Sequence, residues 1–367
     1  VARLGDTGPV VAEVRDRLIR LGLLPATAAE LFDDSMDSAV RAFQQQQGLN
    51  VDGIVGPETF RRLEEARWRL GDRVLSFSAG HMQIGDDATA LQRRLTDMGF
   101  DSGRVDGVFG PSTDHALRDF QRNVGLEPDG VCGPMTLRAL DRLARTVSGG
   151  APEELRDQQA LVRLQTGTAD KVIVIDPGHG GNDPGRSLET VTEQSVIDDI
   201  CSRLEGRLSA LGVQVLLTRP LGVNHLSPST EVQRAQFANR VGADIVISLH
   251  CDWEPSGRGS GAATYYYGSA RTASMVGRRF AELLQEHVVE RTGLRDCRTH
   301  AKTWDLLRLT RMPAVRLEAG YLSNADDRQR LSEAHIRQEI AESIASALHD
   351  FFAPVFQHPP PGVGASV

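Results

Sequence analysis

Three apolar, strand-like runs end in residues able to bind a metal or move a proton. "KVIVID" leads into His179, "ADIVISLH" closes on His250 and "AVRLE" closes on Glu318. Two imidazoles and a carboxylate, each at the carboxyl end of a strand in one sheet, are the residue types that hold a metal or move a proton. A tetrahedral catalytic metal takes three protein ligands and keeps one position open, so a third ligand must be found. Glu193 is the leading candidate. Ile197, Ile200 and Leu204 follow it at helical spacing, which places its carboxylate on the face turned to the sheet. Thr190-x-x-Glu193 also has capping-box spacing, so helix capping is the competing reading, and Glu189, nearer the loop and outside the apolar register, is a weaker rival. The loop "IDPGHGGNDPG" at 175–185 sets four glycines around His179, with Asp176 and Asp183 placed to orient the ring or cap the loop.

These residues meet only if the strands lie side by side. "KVIVID", "VQVLLTR", "ADIVISLH" and "AVRLE" alternate with the helical patterns "EQSVIDDICSRLEGRLSALG", "STEVQRAQFANRVG", "ASMVGRRFAELLQEHVVERTG" and a segment after 330. That alternation predicts an α/β fold, a mostly parallel sheet flanked by helices, in which ligands gather at the carboxyl ends of the strands.

The first half of the chain is organised differently. "AFQQQQGLNVDGIVGPETFRRL" from residue 42 and "DFQRNVGLEPDGVCGPMTLRAL" from residue 119 align without a gap, an internal repeat. Each copy holds an Asp-Gly turn (Asp52–Gly53, Asp129–Gly130) and a Gly-Pro that opens a helix at Pro57 or Pro134. With the upstream patterns "VVAEVRDRLIRLG" and "ATALQRRLTDMG", each copy reads as a small three-helix unit. Trp68 and Phe77 between the copies are expected to pack them together. The stretch 144–170 reads as a linker, and the Pro/Gly-rich 355–367 as a disordered tail.

At 367 residues, 40% hydrophobic and 25% charged, the chain is a folded protein of two or three domains. A formal net charge of −8 argues against a nucleic-acid partner. Cys132, Cys201, Cys251 and Cys297 form no CxxC pair and read as reduced structural thiols. No apolar stretch reaches transmembrane length. The first residues carry charges where a secretory leader would be apolar, so the expected location is the cytoplasm if the chain is complete, and the cell wall or periplasm if a leader was removed.

The repeats resemble the bacterial peptidoglycan-binding domain, with its segment F-Q-x-x-x-G-L-x-x-D-G-x-x-G-x-x-T. Phe43, Gln44, Gly48, Leu49, Asp52, Gly53, Gly56 and Thr59 fit it in the first copy, and Phe120, Gln121, Gly125, Leu126, Asp129, Gly130, Gly133 and Thr136 in the second. The remainder resembles the zinc-dependent N-acetylmuramoyl-L-alanine amidases (amidase 3). Their motifs fall in order: "IDPGHGGNDPG", Glu193 opening the first helix, "LTR", "RAQFANRVGADIVISLH" and "MPAVRLEAGYLSN". The resemblance implies Zn²⁺ held by His179, Glu193 and His250, with Glu318 as catalytic base. It implies as substrate the amide between the lactyl group of N-acetylmuramic acid and L-alanine, in peptidoglycan or muropeptides.

The chain departs from the family pattern after the third ligand, where H-x-N is replaced by His250, Cys251 and Asp252. Cys251 is expected on the opposite strand face, in the core. Trp253 and Tyr265–Tyr267 are read as groove lining or as sheet packing, and Arg308 and Arg311 as partners of substrate carboxylates or as solvated charges. The expected domains are a first repeat at 1–66, a connector with the second repeat at 67–143, the linker, and a zinc amidase domain at 171–354. Two repeats before an amidase domain also resemble actinobacterial amidase-like proteins, some of which lack the zinc ligands. That likeness implies the alternative of a noncatalytic or weakly active cytoplasmic regulator of peptidoglycan-precursor synthesis, acting through a peptidoglycan-synthesis enzyme as partner.

Overall fold

In the two N-terminal repeats, every helix but the second begins where a glycine meets a proline or an acidic residue. The elements are α1 (Pro9–Arg20), α2 (Asp34–Gln46), α3 (Pro57–Ala66), β1 (Leu75–Ser76), α4 (Asp86–Asp97), α5 (Pro111–Asn123), β2 (Val131–Cys132) and α6 (Pro134–Leu143). Proline opens α1, α3 and α5, where its missing N–H costs nothing. Asp33 caps α2 by accepting from the Met36 N–H at 2.9 Å. Each copy closes over its own apolar core, Leu18, Phe32, Met36, Phe43 and Leu63 in the first and Leu91, Phe109, Phe120 and Leu140 in the second. Phe77 packs on the second core, whereas Trp68 stacks against the guanidinium groups of Arg67 and Arg73.

The repeat motif is a buried hydrogen-bond network. Nε2 of Gln44 donates to Asp52 Oδ1 (2.7 Å), the Ile54 carbonyl (3.0 Å) and Thr59 Oγ1 (3.2 Å), while the Gly53 N–H donates to Gln44 Oε1 (2.9 Å). Gln121 does the same with Asp129, Val131, Thr136 and Gly130. A third turn of this design, missed in the sequence, joins α4 to α5: Gln92 binds Asp106, Val108 and Thr113 and receives the Gly107 N–H. In the first two turns a helical Asp–Arg pair, Asp37–Arg41 or Asp114–Arg118, reaches the turn carbonyls. At the third, Gly85 and Thr89 stand in those positions, and the Asp106 carbonyl accepts instead from Nε of Arg308 at 2.8 Å.

The rest of the chain forms α7 (Pro152–Leu164), β3 (Val172–Pro177), β4 (Ser187–Leu188), β5 (Val191–Thr192), α8 (Glu193–Ser209), β6 (Gln214–Leu217), α9 (Glu231–Val241), β7 (Ile245–Asp252), β8 (Ala262–Tyr267), α10 (Met275–Thr292), β9 (Asp296–Lys302), α11 (Asp305–Leu309), β10 (Ala314–Tyr321), α12 (Ala325–Ser332) and α13 (Ala334–Phe352). Six strands make one sheet in the order β6-β3-β7-β10-β8-β9, with β6, β3, β7 and β10 mutually parallel. β3 and β7 are near-continuous apolar runs because both their faces are covered. Helices α8 and α10 pack on the sheet, and α13 packs against both of them. The two strands of this sheet absent from the sequence reading are β8 and β9. The second is an edge strand whose exposed Asp296, Arg298 and His300 carry no apolar alternation to announce it.

This computed structural model describes residues 1–26, 30–143, 152–188, 190–222, 229–269 and 272–354. Glu189, the segment 355–367 read as a tail, and residues 144–151 of the stretch read as a linker lie outside the described residues. Two compact units result: Val1–Arg156 with Tyr266–Ser274 and Ala301–Arg311, and Asp157–Tyr265 with Met275–His300 and Met312–Val367. The first therefore recruits two segments from far along the chain. No helix among the described residues is long and apolar enough to cross a membrane.

Candidate metal centre

Three parallel strands and one helix deliver the site. His179 follows β3, Glu193 is the first residue of α8, His250 lies near the end of β7, and Glu318 on β10 is the register partner of His250. The ligand atoms of His179, Glu193 and His250 all lie within 4.8 Å of one another. Glu193 bridges the imidazoles, with Oε2 3.0 Å from His179 Nε2 and Oε1 3.1 Å from His250 Nδ1. Backbone N–H groups of Arg186 and Cys251 also donate to it. Capping is a task it does not perform: Thr192 caps α8, accepting from the Ser195 N–H at 3.1 Å.

The backbone is shaped to this cluster. His179 has φ +57°, a left-handed conformation that costs a non-glycine residue free energy and persists only where surroundings enforce it. A Cβ on Gly185 would lie 2.7–2.8 Å from atoms of Glu193 and His179, so only glycine lets that loop close over the cluster. Asp183 accepts a bond at 2.8 Å from His179 Nδ1, which fixes the ring and turns Nε2 to Glu193. Asp176 plays no part in orienting His179. It is buried among Thr218, Ser248 and Arg234, and ties β3 to β7, to the residue just past β6 and to α9.

Burial would lower the His179 pKa, but its bonds to Glu193 and Asp183 prevail and raise it. His250 is pushed down to about 3 by burial and by the charge of Arg316. Burial raises Glu193, yet the two imidazoles hold it well below the carboxylate range. Glu318 is raised to about 7, by burial first, against the pull of Arg316. One neutral imidazole, one ionised carboxylate and a second imidazole aimed by an aspartate are a donor set that suits a divalent metal.

The other candidates divide. Cys251 is buried, as its strand face requires, and burial pushes its thiol well up. Asp252 accepts from the Trp253 N–H at 2.7 Å, and its charge adds to the rise at Glu318. Trp253 stands 5.7 Å from the Arg186 guanidinium, beside the cluster. Tyr265–Tyr267 belong to β8, with Tyr267 buried and the Tyr265 ring 5.6 Å from that of His300. Arg308 is neither a substrate contact nor a solvated charge: it is buried, ion-paired to Glu65 at 2.5 Å. Arg311 is exposed. The sequence reading missed Arg316, which binds Glu318. Its period-two spacing from Glu318 was the available signal.

A parallel sheet carrying a His–Glu–His cluster and a buried carboxylate at its strand ends has the architecture of a metal-assisted hydrolase. The N-acetylmuramoyl-L-alanine amidase family model matches residues 173–350, and the peptidoglycan binding domain model matches 7–63 and 84–140. The chain is 45% identical over 361 residues to the N-acetylmuramoyl-L-alanine amidase CwlM of Mycobacterium tuberculosis, covering 94% of this chain and 88% of that protein. It is 29% identical over 182 residues to the amidase LytC of Bacillus subtilis, covering 50% of this chain and 36% of that one. An amidase structure from Clostridium difficile 630 aligns with a TM-score of 0.46 at 27% identity, over 50% of this chain and 96% of that one. The chain belongs to the N-acetylmuramoyl-L-alanine amidase family.

Proposed function

We propose that the protein hydrolyses the amide between the lactyl group of N-acetylmuramic acid and L-alanine, using a zinc ion held by His179, Glu193 and His250. The observation that carries this reading is the convergence of those three side chains within 4.8 Å, next to a strand that presents Glu318 in register with His250. A bound zinc supplies Lewis acidity, polarising the scissile carbonyl and lowering the pKa of water. Glu193 and the two imidazoles leave it a net positive charge. Asp183 keeps His179 in the tautomer that offers Nε2.

Glu318 acts as the general base. Its carboxylate takes a proton from the attacking water as the oxygen bonds to the carbonyl carbon. The same proton passes to the L-alanine nitrogen as the C–N bond breaks, leaving a lactyl carboxylic acid and a free amine. The peptidoglycan-binding repeats raise the effective concentration of polymer at the site. The test is zinc content and turnover in parallel. Glu318→Gln should keep its metal and lose hydrolysis, His179→Ala should lose metal, and normal turnover in the first or normal metal in the second would refute the assignment concerned.

A further inference from the structure

A lone carboxylate only 4% exposed would be free to turn between rotamers unless something held it. Arg316 holds Glu318 from two residues earlier on the same face of β10. Nε and Nη2 of Arg316 both reach Glu318 Oε1, at 2.7 and 2.6 Å. Oε2 is buried and, among the described residues, has no hydrogen-bond partner. The guanidinium is itself steadied by Glu231 of α9, 3.7 Å from Nη1, and it lines a cavity of about 260 Å³ together with His179 and His250. On the neighbouring strand, Arg316 pairs in register with Ser248 and Glu318 with His250, so the arginine lies one row beneath the base and the ligand.

We propose that Arg316 is a positioning residue for hydrolysis: it pins one oxygen of Glu318 and leaves Oε2 as the single acceptor for the proton of the attacking water. This rests on the amidase reading above. A buried acceptor without a partner is costly, and such a cost is borne where a reacting molecule will fill the gap. The planar fork of arginine suits the task, since two N–H groups on one oxygen fix the carboxylate plane in a way a lysine ammonium cannot.

The test uses the full-length, zinc-loaded protein carrying Arg316→Leu or Arg316→Lys. With Arg316→Leu, kcat should fall by about 100-fold, the scale of a misplaced reacting group, with KM and bound zinc nearly unchanged. Arg316→Lys should recover part of the loss. An unchanged kcat, or a fall fully matched by lost zinc, would overturn the proposal. If the wild type releases no peptide, it is the amidase reading that fails. The hold itself is then read from a crystal structure of Arg316→Leu, in which Glu318 should leave its present rotamer; an unmoved carboxylate would overturn the positioning role.

Discussion

Gly178 approaches the imidazole of His250 so closely that one added carbon at its Cα would lie 2.4 Å from the ring. The added carbon cannot be accommodated without moving the His250 ring. Gly178→Ala should therefore weaken zinc binding by about 10- to 100-fold although every ligand is retained, as for other changes just outside a metal's ligands. Competition with a chelator measures this, and an unchanged affinity would mean that the loop yields more easily than its packing implies.

Acid should weaken metal binding through one histidine. His179 has a raised pKa and carries a proton in the metal-free protein at mildly acidic pH, whereas His250, at about 3, does not. The sign follows. Protonation of His179 stabilises the metal-free fold below the ordinary value of 6.5, and that stabilisation is lost as pH rises through the raised pKa. Metal must displace this proton, so affinity should drop about tenfold per pH unit on the acid side of that pKa. Calorimetry at about pH 5.5, below the range where metal-bound water or Glu318 ionises, in buffers of differing ionisation enthalpy should find one proton released per metal bound, and a release of two would contradict the assignment.

The repeat glutamines hold turns together. Gln121→Leu strands the buried Gly130 N–H, while the exposed Asp129 keeps its bond from the Val131 N–H. Leaving a buried polar group unpaired costs about 1–3 kcal/mol. Hydrogen exchange at Gly130 should accelerate correspondingly, whereas unaltered protection would show that the turn stands without the side chain.

Glu65 accepts from both Arg62 and Arg308, so the two arginines share one buried carboxylate. Removing the acid leaves two like charges inside, while removing Arg308 leaves an intact pair. Glu65→Gln should thus destabilise by about 3–5 kcal/mol, the cost of stranding buried charge, and Arg308→Met by less. Denaturation of both variants and of the double mutant decides the order, and a reversal would show that the clamp of Arg308 on Asp106 outweighs the charge balance.

The candidate cluster was legible where chemistry sits on local pattern, and the structure brings His179, Glu193 and His250 together. His179, His250 and Glu318 end strands whose apolar runs are unmistakable, and the apolar register of α8 located Glu193. What stayed hidden depends on residues distant in sequence. Arg316 reads as an ordinary polar residue of a strand until Glu231 is seen opposite. Arg308 looks like surface charge until Glu65, some 240 positions earlier, encloses it. The third Asp-Gly turn escaped because Gly85 and Thr89 break the Asp–Arg pattern of its siblings, a gap that Arg308 fills. β9 lacks an apolar period because it lies at a sheet edge.

The most direct test of the account is turnover. Zinc-loaded protein should be incubated with muropeptides and the products read by mass spectrometry. The account predicts free stem peptides beginning with L-alanine, together with the glycan bearing a lactyl carboxylate, and their disappearance with Glu318→Gln. Protein with a full complement of zinc that releases no stem peptide from any muropeptide would contradict it.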